Sequence, residues 1–183
     1  RRQRQMCIRD KYDTFADGDT RSNASVQMFN RVDVWVQTIQ KESTAYAKEK
    51  KAHDIICEYV EYEEGTYDQT AYSAVMQKKT VCAGYAKLYS MLTNAAGLET
   101  VSVTSATHGW NRTKLGNQWY NVDLTWDDGT PISYQFFNKS DATMEKYDGS
   151  SRESHTQNHY YDGVAPGCES DYGASVTLSL IHI

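Results

Sequence analysis

Cys82, His108 and Asp123 follow one another within the stretch Thr80 to Asp128, each beside glycine or aromatic residues. A thiol, an imidazole and a carboxylate are the groups that thiol-based acyl transfer needs: a nucleophile, a base, and an orienter for the base. What must position the thiol is a helix. Tyr85, Leu88, Tyr89, Leu92 and Ala96 recur at helical spacing, so Ala83 to Ala96 reads as a helix with one apolar stripe, and Gly97 followed by Leu98 reads as its stop. Cys82 then opens the helix, where unpaired N–H groups and the positive end of the dipole favour a thiolate and offer donors to an oxyanion. Small Ala83 and Gly84 are expected to leave room for a substrate. Taken alone, Cys82 reads as a small buried hydrophobe, the usual fate of a free cysteine.

The imidazole and the carboxylate fall on strands. Glu99 to Thr104 is rich in β-branched residues, and His108 to Thr113 and Gln118 to Thr125 read as two further strands around Lys114-Leu115-Gly116-Asn117. Loop length decides which residues face each other. A two-residue turn at Gly116-Asn117 sets His108 opposite Thr125, and a three-residue loop sets it opposite Leu124. A four-residue loop closed by Thr113 and Gln118 brings His108 opposite Asp123, close enough for an imidazole–carboxylate hydrogen bond. That loop is the expectation, and the triad is expected at the end of a cleft, where alanine substitutions spare the fold. Alone, His108 reads as a half-buried histidine and Asp123 as a strand-end turn former.

The runs VCAGYAKLYSMLTNAAGL, HGWN and WYNVDLTWDD resemble the transglutaminase-like superfamily in its bacterial cysteine-protease-like branch. The resemblance spans roughly Lys48 to Pro166. It implies an α+β papain-like, transglutaminase-core fold, with N-terminal helices and a nucleophile helix packed on an antiparallel sheet. It further implies Cys82 as nucleophile, His108 as base and Asp123 as orienter, with a thioester intermediate. Gly109 departs from the alanine that members often carry between His and Trp. An upstream glutamine serves papain-like enzymes as a second oxyanion donor, which makes Gln77 a candidate. Trp110 and Trp126 are the other candidates for contacts with substrate or oxyanion. The implied partner is a peptide or protein, the implied location extracellular or cell-surface, and no cofactor or metal is implied. Hydrolysis is the expected outcome. The alternatives are crosslinking by a protein-glutamine transglutaminase and, from another class, a catalytically silent domain that binds peptide or cell wall. Silent domains lose a triad member; this chain keeps all three.

At 183 residues the chain is long enough for one domain with a core. Its net charge of −5 without a basic face argues against nucleic acid, and no apolar run is long enough to span a bilayer. Oligomeric state cannot be read from it. With Cys82 given to chemistry, Cys7, Cys57 and Cys168 remain; none has zinc-type spacing, and a Cys57–Cys168 disulfide stays open.

Along the chain, residues 1–24 read as a polar lead containing the turn-rich Asp17-Gly18-Asp19. No signal-peptide apolar region follows Arg1, and the lead is expected to be cut from something upstream. The cysteine hydrolase domain is expected over 25–177. Ser25 to Gln40, with Val26, Phe29, Val32, Val36 and Ile39 in register, reads as a helix. A second helix starts after Ser43 or Thr44, reaches Tyr59, buries Tyr46, Ile55, Ile56 and Tyr59, and gives His53 a structural role. Glu61, Glu63 and Glu64 read as a solvated turn, and Tyr67 to Met76 as a short helix. Asp127-Asp128 turns the chain and lacks the further ligands of a calcium loop. Ile132 to Asn138 reads as a strand, Ser140-Asp141 as the cap of a helix, and Gly149 to Gly167 as a polar loop with His155 and His159 on the surface. The sequons at Asn23, Asn111 and Asn138 carry no weight. Residues 178–183, LSLIHI, match what a transposon-end sequencing adapter encodes in one frame and are expected to be a scar.

Overall fold

The chain is described by a computed structural model over residues 17–148, 155–158 and 165–173. Helix α1 (Gly18–Gln40) starts earlier than expected, because the Asp17 side chain caps it, accepting from Thr20 N at 2.7 Å. Its burial begins only at Val32; Val26 and Phe29, on the same stripe, stay 55% and 48% exposed, so the apolar stripe outruns the face it packs against. Helix α2 (Ala45–Tyr59) is capped by Thr44, which accepts from Ala47 N at 3.1 Å. It buries Ala52, Ile56 and Cys57, while Tyr46, Ile55 and Tyr59 pack only partly buried against the core.

Two short strands, β1 (Glu61–Tyr62) and β2 (Lys79–Thr80), pair in parallel and lead the chain toward the helix that Cys82 opens. Between them the expected helix is shortened: its first half is a turn, and its second half runs into a π-helix, Ser73–Gln77, which ends on Lys78 in the left-handed region. Helix α3 (Cys82–Ala95) buries Tyr85, Leu88, Tyr89 and Leu92, the stripe read from the sequence, between α1, α2 and the sheet. It stops as expected: Gly97 (φ +90°) donates to Asn94 O at 3.0 Å and Leu98 N to Thr93 O at 2.9 Å, a Schellman close.

Strands β3 (Glu99–Thr104), β4 (Gly109–Leu115), β5 (Gln118–Val122) and β6 (Phe137–Lys139) form one antiparallel sheet in chain order. The β4–β5 loop is two residues, not four: Leu115 pairs with Gln118, and Gly116 supplies the positive φ (+63°) such a turn demands. After β5 comes the single-turn helix α4 (Leu124–Asp127). The expected strand from Ile132 shrinks to Phe137–Lys139 because Asp127 captures the preceding backbone. Its carbonyl accepts from Ser133 N and its side chain from Phe136 N, both at 2.9 Å. Helix α5 (Asp141–Asp148) begins as expected at Ser140, whose Oγ accepts from Thr143 N.

Glu49 of α2 is fully buried, accepting from Asn138 Nδ2 at 2.7 Å and Tyr89 OH at 3.3 Å. Burial dominates those bonds and raises its carboxyl from 4.5 to about 7. The folded state therefore keeps a proton that the unfolded chain releases. Stability from this group is intact below pH 4.5 and falls between pH 4.5 and 7, by on the order of 3 kcal/mol. Glu49→Gln is expected to stabilise the protein at pH 8 and to leave it nearly unchanged at pH 4.5. Urea unfolding midpoints at the two pH values measure this, and an equal change at both would refute it.

Candidate active site

Cys82 is the first residue of α3, half-buried, with Val81 as the N-cap. The cap gives no side-chain acceptor; Gly84 N donates to Val81 O at 2.8 Å, and the N–H groups of Cys82 and Ala83 precede it at the helix end. Gly84, expected from its size to make room for substrate, does not do so. It is buried, and a Cβ there would lie 1.7 Å from Thr80 Oγ1; its smallness seats the helix on β2.

His108 ends a tight loop just before β4. Ser105 Oγ accepts from His108 N at 3.1 Å, and Ser105 N donates to His108 O at 2.9 Å. The ring stacks on Trp110, with centroids 6.2 Å apart, and tilts against Trp126 at 6.1 Å. Asp123 ends β5 and caps α4: its Oδ1 accepts from Thr125 N at 2.9 Å and Trp126 N at 3.3 Å. That turns Oδ2 toward His108 Nε2, 2.5 Å away. The expected contact is thus present, but not by the expected register. Two residues of loop put Asn111 opposite Val122, and continuing that register sets Asp123 opposite Trp110, with His108 as diagonal neighbour. The contact forms because both residues lie beyond the ladder, where a tight loop and a helix cap aim them at each other.

Burial works against a charge on His108, but hydrogen bonds to Asp123 and to Cys82 outweigh it and push the imidazole up from 6.5 to about 10. Burial likewise opposes ionisation of Asp123; bonds from His108 and His155 outweigh it and hold the carboxyl at about 2. The Cys82 thiol thus contributes, after Asp123, to the raised basicity of His108. His108 and Asp123 are 3% and 1% exposed, so they lie in the core rather than at a cleft end.

His155 overturns its expectation as a surface residue. It is 4% exposed, places Nε2 2.8 Å from Asp123 Oδ2, and pairs through Nδ1 with Asp148. Trp110, Trp126 and Phe136 surround its ring at 5.1–5.7 Å between centroids. Asn158 N, donating to Thr104 O at 2.8 Å, ties this segment to the end of β3. No local pattern marks His155, since its neighbours in sequence are polar and its partners lie in distant segments. His159 is outside the described residues. Trp110 is 1% exposed and its indole N–H already donates to Asn121 Oδ1 at 2.8 Å, so it is a wall beneath His108 rather than a donor to substrate. Trp126 is half-buried beside the site, as expected. Gln77 is exposed at the end of the π-helix, its side-chain oxygen accepting from Ser73 Oγ at 3.1 Å, and no described contact ties it to the triad.

His108, Asp123 and His155 offer ligand atoms within 4.8 Å of one another. Both imidazoles aim at the same carboxylate oxygen, at 2.5 and 2.8 Å, closer than the roughly 3.3 Å that separates two ligands on a tetrahedral zinc. Those distances fit a hydrogen-bonded cluster.

His53 has the structural role expected. It is fully buried, 3.3 Å from Asp127 Oδ2 and 3.3 Å from Asp54 Oδ1, with Cys57 Sγ at 3.9 Å. Asp127 is therefore more than a turn former, and Asp128 has a different partner, the Tyr85 hydroxyl. Cys57 and Cys168 are free buried thiols, and burial pushes Cys168 up to about 12. Among the described residues no helix is long and apolar enough to cross a membrane. Asn111 and Asn138 are buried, and Asn111 Nδ2 instead ties β4 to α3 through Ala86 O at 3.1 Å and Ser90 Oγ at 2.8 Å.

The sequence profile of the transglutaminase-like superfamily matches residues 33–124, half of the chain. No curated protein matches it. Among solved structures, the chain is similar to a TGase, at 13% identity and a TM-score of 0.50 over 66% of this chain and 37% of that one. It is also similar to a candidate cysteine protease of Cytophaga hutchinsonii, at 20% identity and 0.45 over 61% and 44%. The chain spans about two fifths of these two solved chains. The α+β arrangement of helices on an antiparallel sheet is the transglutaminase-core fold expected from the sequence.

Proposed function

Because this chain belongs to the transglutaminase-like superfamily, we propose that it is a cysteine enzyme that transfers acyl groups from peptide or protein amides, with water as acceptor. The observation that carries this reading is the buried His108 Nε2–Asp123 Oδ2 contact of 2.5 Å beside a cysteine that opens a helix. With Nε2 bound to Asp123, proton exchange with Cys82 Sγ runs through Nδ1. The raised basicity of His108 keeps a proton on the ring at neutral pH, ready for the leaving group.

In this reading Cys82 Sγ attacks the amide carbonyl, and the oxyanion forms against the first-turn N–H groups of α3. His108 gives its proton to the departing amine, the C–N bond breaks, and a thioester to Cys82 remains. Water then attacks the thioester as His108 accepts its proton, the C–S bond breaks, and the acid leaves with Cys82 as thiolate beside the protonated imidazole. Asp123 keeps the ring oriented throughout and stabilises its charged form.

The experiment is turnover of casein, glutamine peptides and a fluorescent amine by the wild-type chain. Amide cleavage without amine incorporation is the expected result. Amine incorporation in place of cleavage would overturn water as the acceptor, and an inert protein on the whole panel would overturn the enzyme reading.

A further inference from the structure

We propose that His155 is a positioning residue for the acyl-transfer site: bridging Asp123 through Nε2 and Asp148 through Nδ1, it locks the carboxylate that orients His108. The proposal rests on the reading of Cys82, His108 and Asp123 given above. Carboxylate and imidazole alternate along Asp148, His155, Asp123 and His108, and the row ends on the Cys82 thiol. A row of this kind orients the imidazole in the way that outer partners orient the ligands of a metal.

Three observations support it. First, the backbone donors to Asp123, Thr125 N and Trp126 N, both reach Oδ1, and among the described residues Oδ2 is held by the two imidazoles. Without His155, the oxygen that meets His108 would keep one side-chain partner. Second, His155 is itself fixed from both sides. Asp148 Oδ2 accepts from its backbone N at 2.8 Å while Oδ1 meets Nδ1, so one carboxylate at the end of α5 sets both the chain and the ring. Third, the groups facing the ring are Asp123, Asp148 and His108 together with Trp110, Trp126 and Phe136; these three aromatics keep the hydrogen bonds dry.

A space-filling role and a hydrogen-bonding role separate cleanly by substitution. His155→Gln keeps an N–H donor at the position of Nε2, whereas His155→Phe keeps the ring volume and loses the donor. Asp148→Asn weakens the hold from the far side. The readout is the rate at which iodoacetamide alkylates Cys82 as a function of pH, mapped by mass, alongside kcat and KM on an amide.

At pH 6.5 His155→Phe should react about tenfold more slowly than wild type, His155→Gln within about threefold of wild type, and Asp148→Asn in between. At pH 9.5, where an ordinary thiol ionises without help, all four proteins should react alike. On the amide, the Phe variant should lose kcat at nearly constant KM. A Phe variant that reacts like wild type, or a Gln variant as slow as the Phe variant, would overturn the proposal. If the Phe variant does not melt cooperatively, an Asp148→Asn profile identical to wild type overturns it instead. Absence of amide turnover with the alkylation order as predicted would remove the hydrolytic reading and leave the positioning role standing. Turnover with identical alkylation profiles would do the reverse.

Discussion

Replacing Cys82 or His108 by Ala should each lower kcat/KM on an amide by roughly four to six orders of magnitude, and the double variant should be hardly worse than Cys82→Ala alone. The two groups act as one unit, since a thiol without the imidazole has no proton partner and an imidazole without the thiol has nothing to activate. Asp123 is expected to be milder, at roughly two to four orders of magnitude, because it touches the base and not the substrate. It must be tested as Asp123→Asn. Asp123 is 1% exposed, caps α4, and accepts from two backbone N–H groups and two imidazoles. Asp123→Ala would strand all four donors in the core, and its loss of activity would be mixed with loss of fold. Steady-state rates for the three variants and the double variant, each with a thermal melt, check this. A double variant far worse than either single one would show that the two groups act independently.

The second large effect is on folding. Gly84→Ala is expected to lower the melting temperature by about 10 °C, corresponding to a loss of about 3 kcal/mol. An added Cβ would lie 1.7 Å from Thr80 Oγ1, 2.8 Å from Thr80 Cβ and 3.0 Å from Thr70 O. The hydroxyl has little freedom to swing aside, because it donates to Asp68 O at 2.5 Å. Nor can the helix start shift freely, since Val81 N is bound to the same carbonyl at 3.1 Å. Relief must come by moving the first turn of α3, and with it Cys82. Thr80→Ala in the same chain removes the nearest atom and should recover part of the loss. A Gly84→Ala protein that melts with the wild type would show that α3 does not sit on β2 as described.

The nucleophile helix was legible in the sequence because one stripe, one stop signal and one cysteine agree. Tyr85 to Leu92 are buried, Gly97 and Leu98 close the helix, and Cys82 opens it. The second N-terminal helix was legible from its apolar spacing and its Thr44 cap, whereas the first starts seven residues before the expected Ser25 because Asp17 caps it. The hairpin register was not legible. The stretch Lys114-Leu115-Gly116-Asn117 permits several loops, and the positive φ of Gly116 goes with the two-residue one. The His108–Asp123 pairing was anticipated through a mistaken register. What brings the two together is the Ser105 loop and the α4 cap, which are local side-chain bonds that no periodicity reports. The strand expected at Ile132 was shortened by a side chain, Asp127, that the sequence showed only as a turn residue. His155 was misread altogether, because its burial depends on Asp123, Asp148 and three aromatic rings contributed by segments far apart in the chain.

The central claim is that Cys82 carries the acyl group during turnover. The most direct measurement is the intact mass of the protein, acid-quenched within the first turnovers on an amide or ester substrate and then mapped by peptide. The account predicts one added acyl group, on Cys82, that disappears as product accumulates and never forms in Cys82→Ala. Turnover with no adduct on Cys82, or with the acyl group on Cys57, Cys168 or another side chain, would contradict it.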